Sequence, residues 1–184
     1  MQFFKLCDFL NIRGRWHLGE ITGPAGDEVD MDRGQRIEHT APLQIEVTDL
    51  GEVLDFCLTS FNAPVCNAKL VAEIGAVAGD DVQVIPVEIN EQKGMVALNA
   101  VRVVPCIDEA RSEFIKWTEH DHRADLAGEF RQVTKLVLAR DTIPDDAHFF
   151  RIAGWEVALI VSEEVKAAME RIGCIGATFI ELES

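Results

Sequence analysis

The chain has 184 residues, 48% hydrophobic and 27% charged, which fits one folded domain with a sizeable core and argues against disorder. Its 32 acidic residues against 17 Lys and Arg give a formal charge of −15, the wrong sign for binding nucleic acid, whose phosphates demand a basic footprint. No apolar run approaches the roughly 18 residues that span a bilayer.

The opening segment, Met1 to Asp8, lacks a basic region followed by a long apolar core, so it reads as a strand around Phe3, Phe4 and Leu6, and a cytoplasmic location is expected. Arg13 to Glu20 is a turn leading into a short amphipathic strand. From Thr22 to Arg36 the composition is that of a loop, with Gly23, Pro24, Gly26 and Gly34 among Asp27, Glu28, Asp30 and Asp32. Leu43, Ile45 and Val47 alternate with polar residues as in a half-buried strand, with Val53 to Leu58 expected as its returning partner across the Asp49–Glu52 turn. Pro64 precedes a helix capped by Asn67 and ended by Gly79, its stripe formed by Leu70, Val71, Ile74, Val77 and Ala78.

Val82 to Ile89 reads as a strand that Pro86 assigns to an edge or bulge. Met95 to Val104 is rich in β-branched residues and reads as a single strand buried on both faces, ended by Pro105. Asp108, Glu109, Arg111, Ser112 and Glu113 then form a polar corner. Residues 118–129 are polar and irregular, Phe130 to Leu138 and Phe149 to Ile152 are strand-like, and Trp155 to Val161 is a strand. Ser162 caps a helix carrying Val165, Ala168, Met169 and Ile172 on one stripe, stopped by Gly173 before a last strand from Ala177 to Leu182. Strands outnumber helices without a steady βαβ alternation. The expected class is α+β, a mostly antiparallel or mixed sheet with two or three helices, spanning residues 1–184 as one domain in which 1–62 form an N-terminal β subregion.

No catalytic or metal constellation is complete. His120 and His122, with Cys106 and Asp108 nearby in sequence, guarantee two ligands where zinc needs three or four. Ser112 and Ser162 have no nucleophile elbow around them, and the glycines form no phosphate loop, so neither metal nor cofactor is expected. Five scattered cysteines without a C-x-x-C pair are expected as free thiols. Trp16, Trp117 and Trp155 read first as core, and as partner anchors where one lies exposed beside acids.

The order of several short motifs carries a resemblance. These are Arg15-Trp-His-Leu18, Pro42-Leu-Gln-Ile45 with Gly51 and Leu54-Asp-Phe56, Pro64-Val65, Val84-Ile-Pro-Val87, Leu98-Asn-Ala-Val101, Cys106-Ile-Asp108 with Ser112-Glu113, Phe150-Arg-Ile152, and Ile160-Val-Ser-Glu-Glu-Val-Lys166 with Gly173 and Gly176. In these the chain resembles the eleventh immunity-protein family of bacterial polymorphic toxin systems. Where that family shows a Tyr before Leu98, this chain has Met95 and Val96. The resemblance implies a non-enzymatic protein that binds and neutralises a cognate toxin, and it supplies no catalytic residue. Such a toxin acting on nucleic acid, as a nuclease does, presents a basic face. The expected contacts are therefore acidic: Asp27, Glu28, Asp30 and Asp32 in the first loop, and Glu119 and Asp121 in the 108–129 segment. There, seven acids stand against three bases. Asp108, Arg111 and Glu113 are expected as a structural corner. The alternative is a small enzyme or ligand-binding domain with its site at Cys106–Glu113.

Overall fold

The computed structural model describes residues 1–184. In chain order the strands and helices are β1 (Phe3–Asp8), β2 (His17–Thr22), β3 (Leu43–Asp49), β4 (Phe56–Leu58), β5 (Pro64–Asn67), α1 (Ala68–Ala78), β6 (Val82–Glu88), β7 (Met95–Ala100) and β8 (Val103–Val104). There follow β9 (Glu113–Lys116), β10 (Phe130–Lys135), β11 (Phe149–Ile152), β12 (Trp155–Ser162), α2 (Glu163–Arg171) and β13 (Ala177–Glu181).

Both helices form where their caps dictate. Asn67 accepts the Leu70 N–H at 2.9 Å and Ser162 accepts that of Val165 at 3.3 Å, while Glu163 and Glu164 sit in the first turn of α2 where the helix dipole favours them. The strands make two mixed sheets, β2-β3-β6-β7-β5-β4 and β13-β1-β12-β11-β8, with β9 and β10 as a separate hairpin. In each large sheet one pairing is parallel, β3 with β6 and β8 with β11. This is an α+β fold. Residues from both sheets and both helices share a core: Leu6, Phe149 and Val161 from one sheet meet Phe56, Val82 and Leu98 from the other, with Leu70, Ile74, Val165 and Met169 among them. A second cluster around Trp16, Ile45 and Ile85 belongs to the six-stranded sheet, and a third around Phe3, Phe150 and Ile160 to the five-stranded one.

Three local expectations are corrected. Met95 to Val104 is not one strand: β7 ends at Ala100, and β8 pairs with β11 in the other sheet. At the crossing, Val101 N–H bonds to the Asp81 carbonyl at 2.9 Å, and the Arg102 carbonyl accepts from Arg151 N–H at 2.9 Å. Second, β4 does not return along β3 but pairs with β5. The chain between them is held instead beside the start of β2. Glu52 N–H bonds to the Gly14 carbonyl at 2.7 Å, and Gly51 packs so closely that a Cβ there would lie 2.4 Å from that oxygen. Third, β6 lies inside its sheet, between β3 and β7. Pro86 is tolerated because β3 reaches β6 only at Val87 and Glu88, leaving the preceding stretch open on that side.

The two sheets are tied at β11. The buried Asp81 carboxylate accepts from His148 N–H at 2.7 Å and Phe149 N–H at 3.1 Å, and pairs with Arg102 Nε at 2.6 Å. Asp81→Ala strands two backbone donors and is expected to cost about 2–4 kcal/mol, read from chemical denaturation. An unchanged denaturation midpoint would show that this clamp is dispensable.

All five cysteines are free, with Cys57, Cys66 and Cys106 buried. Burial pushes the thiol of Cys57 up to about 11 and that of Cys106 up to about 12, so neither is a thiolate at neutral pH. A neutral-pH disulfide reagent should titrate all five only after denaturation, the native reaction being confined to the partly exposed Cys7 and Cys174.

Candidate functional site

The acidic loop leaves β2 through a tight turn. Gly23 N–H bonds to the Asp27 carbonyl at 2.8 Å, and the Asp27 carboxylate folds back over Gly23, where a Cβ would come within 2.4 Å of it. Beyond Glu28, buried Met31 inserts into the cluster of Trp16, Ile21 and Ile45. Further fastenings come from side chains on β6 and β7. The Gln83 amide bonds both ways with the Ile37 backbone, at 2.9 and 2.8 Å, and Asn99 Nδ2 donates to the Gln35 carbonyl at 2.7 Å. A loop-like composition therefore sits on fixed points.

At its exposed bend, the Asp32 N–H donates to the Asp30 carboxylate at 3.2 Å, and Arg33 pairs with Asp30. The Asp32 carboxyl also hydrogen-bonds to that of Asp30. That hydrogen bond to Asp32, with the Arg33 contact, holds Asp30 down at about 2; desolvation, then the Asp30 carboxyl, pushes Asp32 up to about 6. Behind this bend lies Arg151, with no solvent exposure. Its guanidinium donates to the carbonyls of Glu156 at 2.7 Å and Asn62 at 2.9 Å, while Nε is unpartnered.

Two concavities flank the bend. The smaller, about 180 Å³, has Ile21, Met31 and exposed Phe61 at its base and Glu28, Asp30 and Asp32 on its rim. The larger, about 630 Å³, runs between Asp32–Gln35, the Trp117–Arg131 part of the hairpin and the turn joining β11 to β12. Phe130 N–H bonds to the Gly154 carbonyl at 2.9 Å and fixes the hairpin against that turn. Gly154 has φ +76, a backbone conformation that favours glycine.

The structure thus brings together two acidic segments that are far apart in sequence. Asp32 lines both concavities, Glu28 and Asp30 the smaller one, and Glu129 the larger. Asp27 stays within its own turn. Glu119 is exposed on the hairpin loop, outside the cleft lining. Asp121 accepts from Thr118 N–H and Oγ1, each at 2.8 Å, and those bonds, then Arg131, lower its carboxyl. Phe61 and Glu156 carried no signal in the sequence, and Arg151 appeared only inside the Phe150-Arg-Ile152 motif, with nothing to show that it would be buried and bonded to the distant Asn62 carbonyl. Trp16 is buried, whereas Trp117 and Trp155 are half-buried beside acids.

The polar corner is separate from this face. Asp108 Oδ1 accepts from the N–H groups of Ala110 at 3.1 Å and Arg111 at 3.2 Å, and Ser112 Oγ bonds both ways with the Val137 backbone. Arg111 lies 3.7 Å from both Asp108 and Glu183, and Glu113 is exposed at the start of β9. Cys106 beside it is a buried, neutral thiol, and His122 meets Trp117 edge to face with centroids 5.2 Å apart. No three His, Cys, Asp or Glu side chains converge as metal ligands.

The Asp30–Asp32 pair makes stability depend on pH. Asp32 has a folded pKa above its ordinary 3.8, so its protonation favours folding and stability falls as pH rises through about 6. Asp30 is depressed, and its contribution is lost only as pH falls toward about 2. Asp32→Asn should therefore raise the melting temperature at pH 7.5, with the gain shrinking by pH 4.5. A carboxyl titration by NMR showing Asp32 near its ordinary value would contradict this pairing.

No curated protein matches the chain. Residues 74–184, from the middle of α1 to the C-terminus, match the model of the immunity protein family Imm11. That span is more than half of the chain and includes the hairpin and the β11–β12 turn, two of the three walls of the larger cleft; the Asp32–Gln35 wall lies before it. The chain belongs to the Imm11 immunity protein family.

Proposed function

We propose that this protein is a cytoplasmic immunity protein that neutralises a cognate toxin domain by stoichiometric binding, covering the toxin's active site or substrate surface. Membership of an immunity family supports a toxin partner. One observation supports the mode: the acidic loop and the acidic hairpin segment meet at a single cleft, with Asp32 on one side and Glu129 on the other. Acids gathered on one face produce a directional field, whereas acids scattered for solubility do not.

The partner that suits this face is a basic domain, such as a nuclease whose active surface is built to hold phosphates. Carboxylates on the immunity protein then occupy phosphate positions. Long-range attraction speeds encounter, and close contacts hold the complex. The proposal assigns no catalytic residue, no cofactor and no metal to the chain. It includes neither nucleic acid nor a membrane as partner, and no helix is long and apolar enough to cross one.

The test uses the toxin encoded beside this gene. Co-expression should rescue cells from that toxin, and the purified proteins should associate at a rate that falls steeply with salt. Replacing Asp27, Glu28, Asp30 and Asp32 together by their amides should slow association by about tenfold at low ionic strength and flatten the salt dependence. A wild-type chain that neither protects nor binds would remove the proposal. Unchanged kinetics in the quadruple variant would remove only the loop from the interface.

A further inference from the structure

The larger cleft differs from the rest of the acidic face in having aromatic walls. Trp117, Phe130 and Trp155 line it beside Glu129 and Glu156, in a volume of about 630 Å³. Each ring already holds a cation of the chain itself. The Arg131 guanidinium lies 5.0 Å from the Trp117 ring, Lys116 Nζ 4.7 Å from Phe130, and Lys5 Nζ 5.0 Å from Trp155. These are cation–π distances, and that attraction strengthens when a partner excludes water.

The charges of the cleft are unevenly paired. Its arginines are all taken up by aspartates: Arg33 by Asp30, Arg123 by Asp125 and Arg131 by Asp121. Glu129 takes part in none of these pairs, and Glu156 accepts only the Gly154 N–H, through Oε1 at 2.8 Å. The lining itself is balanced, Asp32, Glu129 and Glu156 against Arg33, Arg123 and Arg131; with their ion-pair partners and the lysines on the rings, seven carboxylates (Asp30, Asp32, Glu109, Asp121, Asp125, Glu129, Glu156) stand against five bases (Arg33, Arg123, Arg131, Lys5, Lys116), and Asp32, Glu129 and Glu156 belong to no ion pair. A cleft with unpaired carboxylates, aromatic walls and no free arginine is complementary to a long basic side chain. Its aliphatic stem lies along the rings and its charged head reaches the carboxylates.

We infer that this cleft receives an arginine or lysine side chain projecting from the toxin, with its stem against Trp155 and Phe130 and its head between Glu129 and Glu156. The inference rests on the proposal that the chain binds a toxin. It adds where the central contact lies and what chemistry fills it. Central, water-excluded pockets of this composition are where a few residues carry most of the binding energy of an interface. The loop carboxylates at Asp27–Asp32 then act chiefly on the rate of encounter, and the cleft on the lifetime of the complex.

The probe is the toxin domain encoded by the neighbouring gene, with its active site inactivated, titrated against the full chain. Glu129→Gln combined with Glu156→Gln keeps an oxygen acceptor for Gly154 and removes the two charges. It should weaken binding by at least about tenfold through faster dissociation, in a chain that still unfolds in one cooperative transition. Trp155→Leu keeps apolar bulk without the ring face and should weaken binding in the same way. Substituting surface Arg and Lys of the toxin one at a time should reveal one whose loss is not additive with the Glu129/Glu156 change. Undiminished binding by both folded variants, beside normal cell rescue, overturns the inference and leaves the proposed function standing. Sensitivity to Trp155→Leu alone also overturns it, because the occupant is then an apolar anchor. A wild-type chain that does not bind the toxin overturns both.

Discussion

A guanidinium with no solvent exposure, carried by the third residue of β11, is the constraint around which this fold and its acidic face are arranged. Withdrawing such a charge from water costs several kcal/mol unless hydrogen bonds and opposite charges replace the lost hydration. Arg151 has two carbonyl acceptors, one on each side of the junction between the sheets: Glu156 in its own sheet and Asn62 in the β4–β5 turn. Burial lowers its pKa, and Asp32, Asp30 and Glu156, in that order, oppose the shift. The acids of the exposed bend are thus part of what keeps Arg151 charged, and Arg151 in turn favours their ionised forms. Fold and site share one set of electrostatic interactions.

Asp81 does the complementary work at the other end of β11, as a buried anion accepting from two backbone donors and from Arg102. All four residues of β11 are buried, so the strand has no face on which slippage is cheap. The hairpin of β9 and β10 is the contrasting element. A two-stranded ribbon alone is marginal in water. This one is steadied by its own Phe114–Phe130 edge contact, by Arg131 over Trp117 and by the bond from Phe130 to Gly154. Its fixed end forms a wall of the cleft, and its loop extends beyond it.

Much of this was legible in the sequence where local chemistry decides structure. The Asn67 and Ser162 caps, the α2 stripe and the strands β1, β6 and β12 follow from short-range patterns that the fold keeps. The acidic loop was visible as composition. What failed was pairing. An apolar run such as Met95–Val104 reports burial but not which sheet buries it, and a two-residue break at Val101 and Arg102 has no signature of its own. The same holds for β3 and β4, whose separation depends on Gly51 meeting the Gly14–Arg15 backbone. Of the cleft, the sequence offered Trp117, Trp155 and Asp32 as separate candidates, with Glu129 only one of the seven acids in the 108–129 segment and Glu119 and Asp121 expected in its place. Their meeting depends on Arg151 and Gly154, whose roles exist only in three dimensions. The family match begins inside α1, yet β1, which lies before it, fills the place between β12 and β13.

The count of acids also means something different once their partners are known. Several aspartates are engaged inside the chain: Asp8 with Arg15, Asp55 with Asn67 and the Ile175 N–H, Asp81 with β11, Asp108 with its own turn and Asp121 with Thr118. A short carboxylate reaches nearby backbone donors, which is why aspartate recurs in turns and caps. Glu28, Glu119 and Glu129, one methylene longer, stand exposed on the loops that carry them. Net charge sums both kinds and so overstates what a partner meets. The field at the cleft comes from the carboxylates left after internal pairing, and in the hairpin segment that shifts the weight from Asp121, held by Thr118 and Arg131, toward Glu129. Long-range steering responds to the whole sum, whereas close contact responds to the unpaired remainder. The two are separable by experiment because salt acts strongly on the first and weakly on a contact from which water has been excluded.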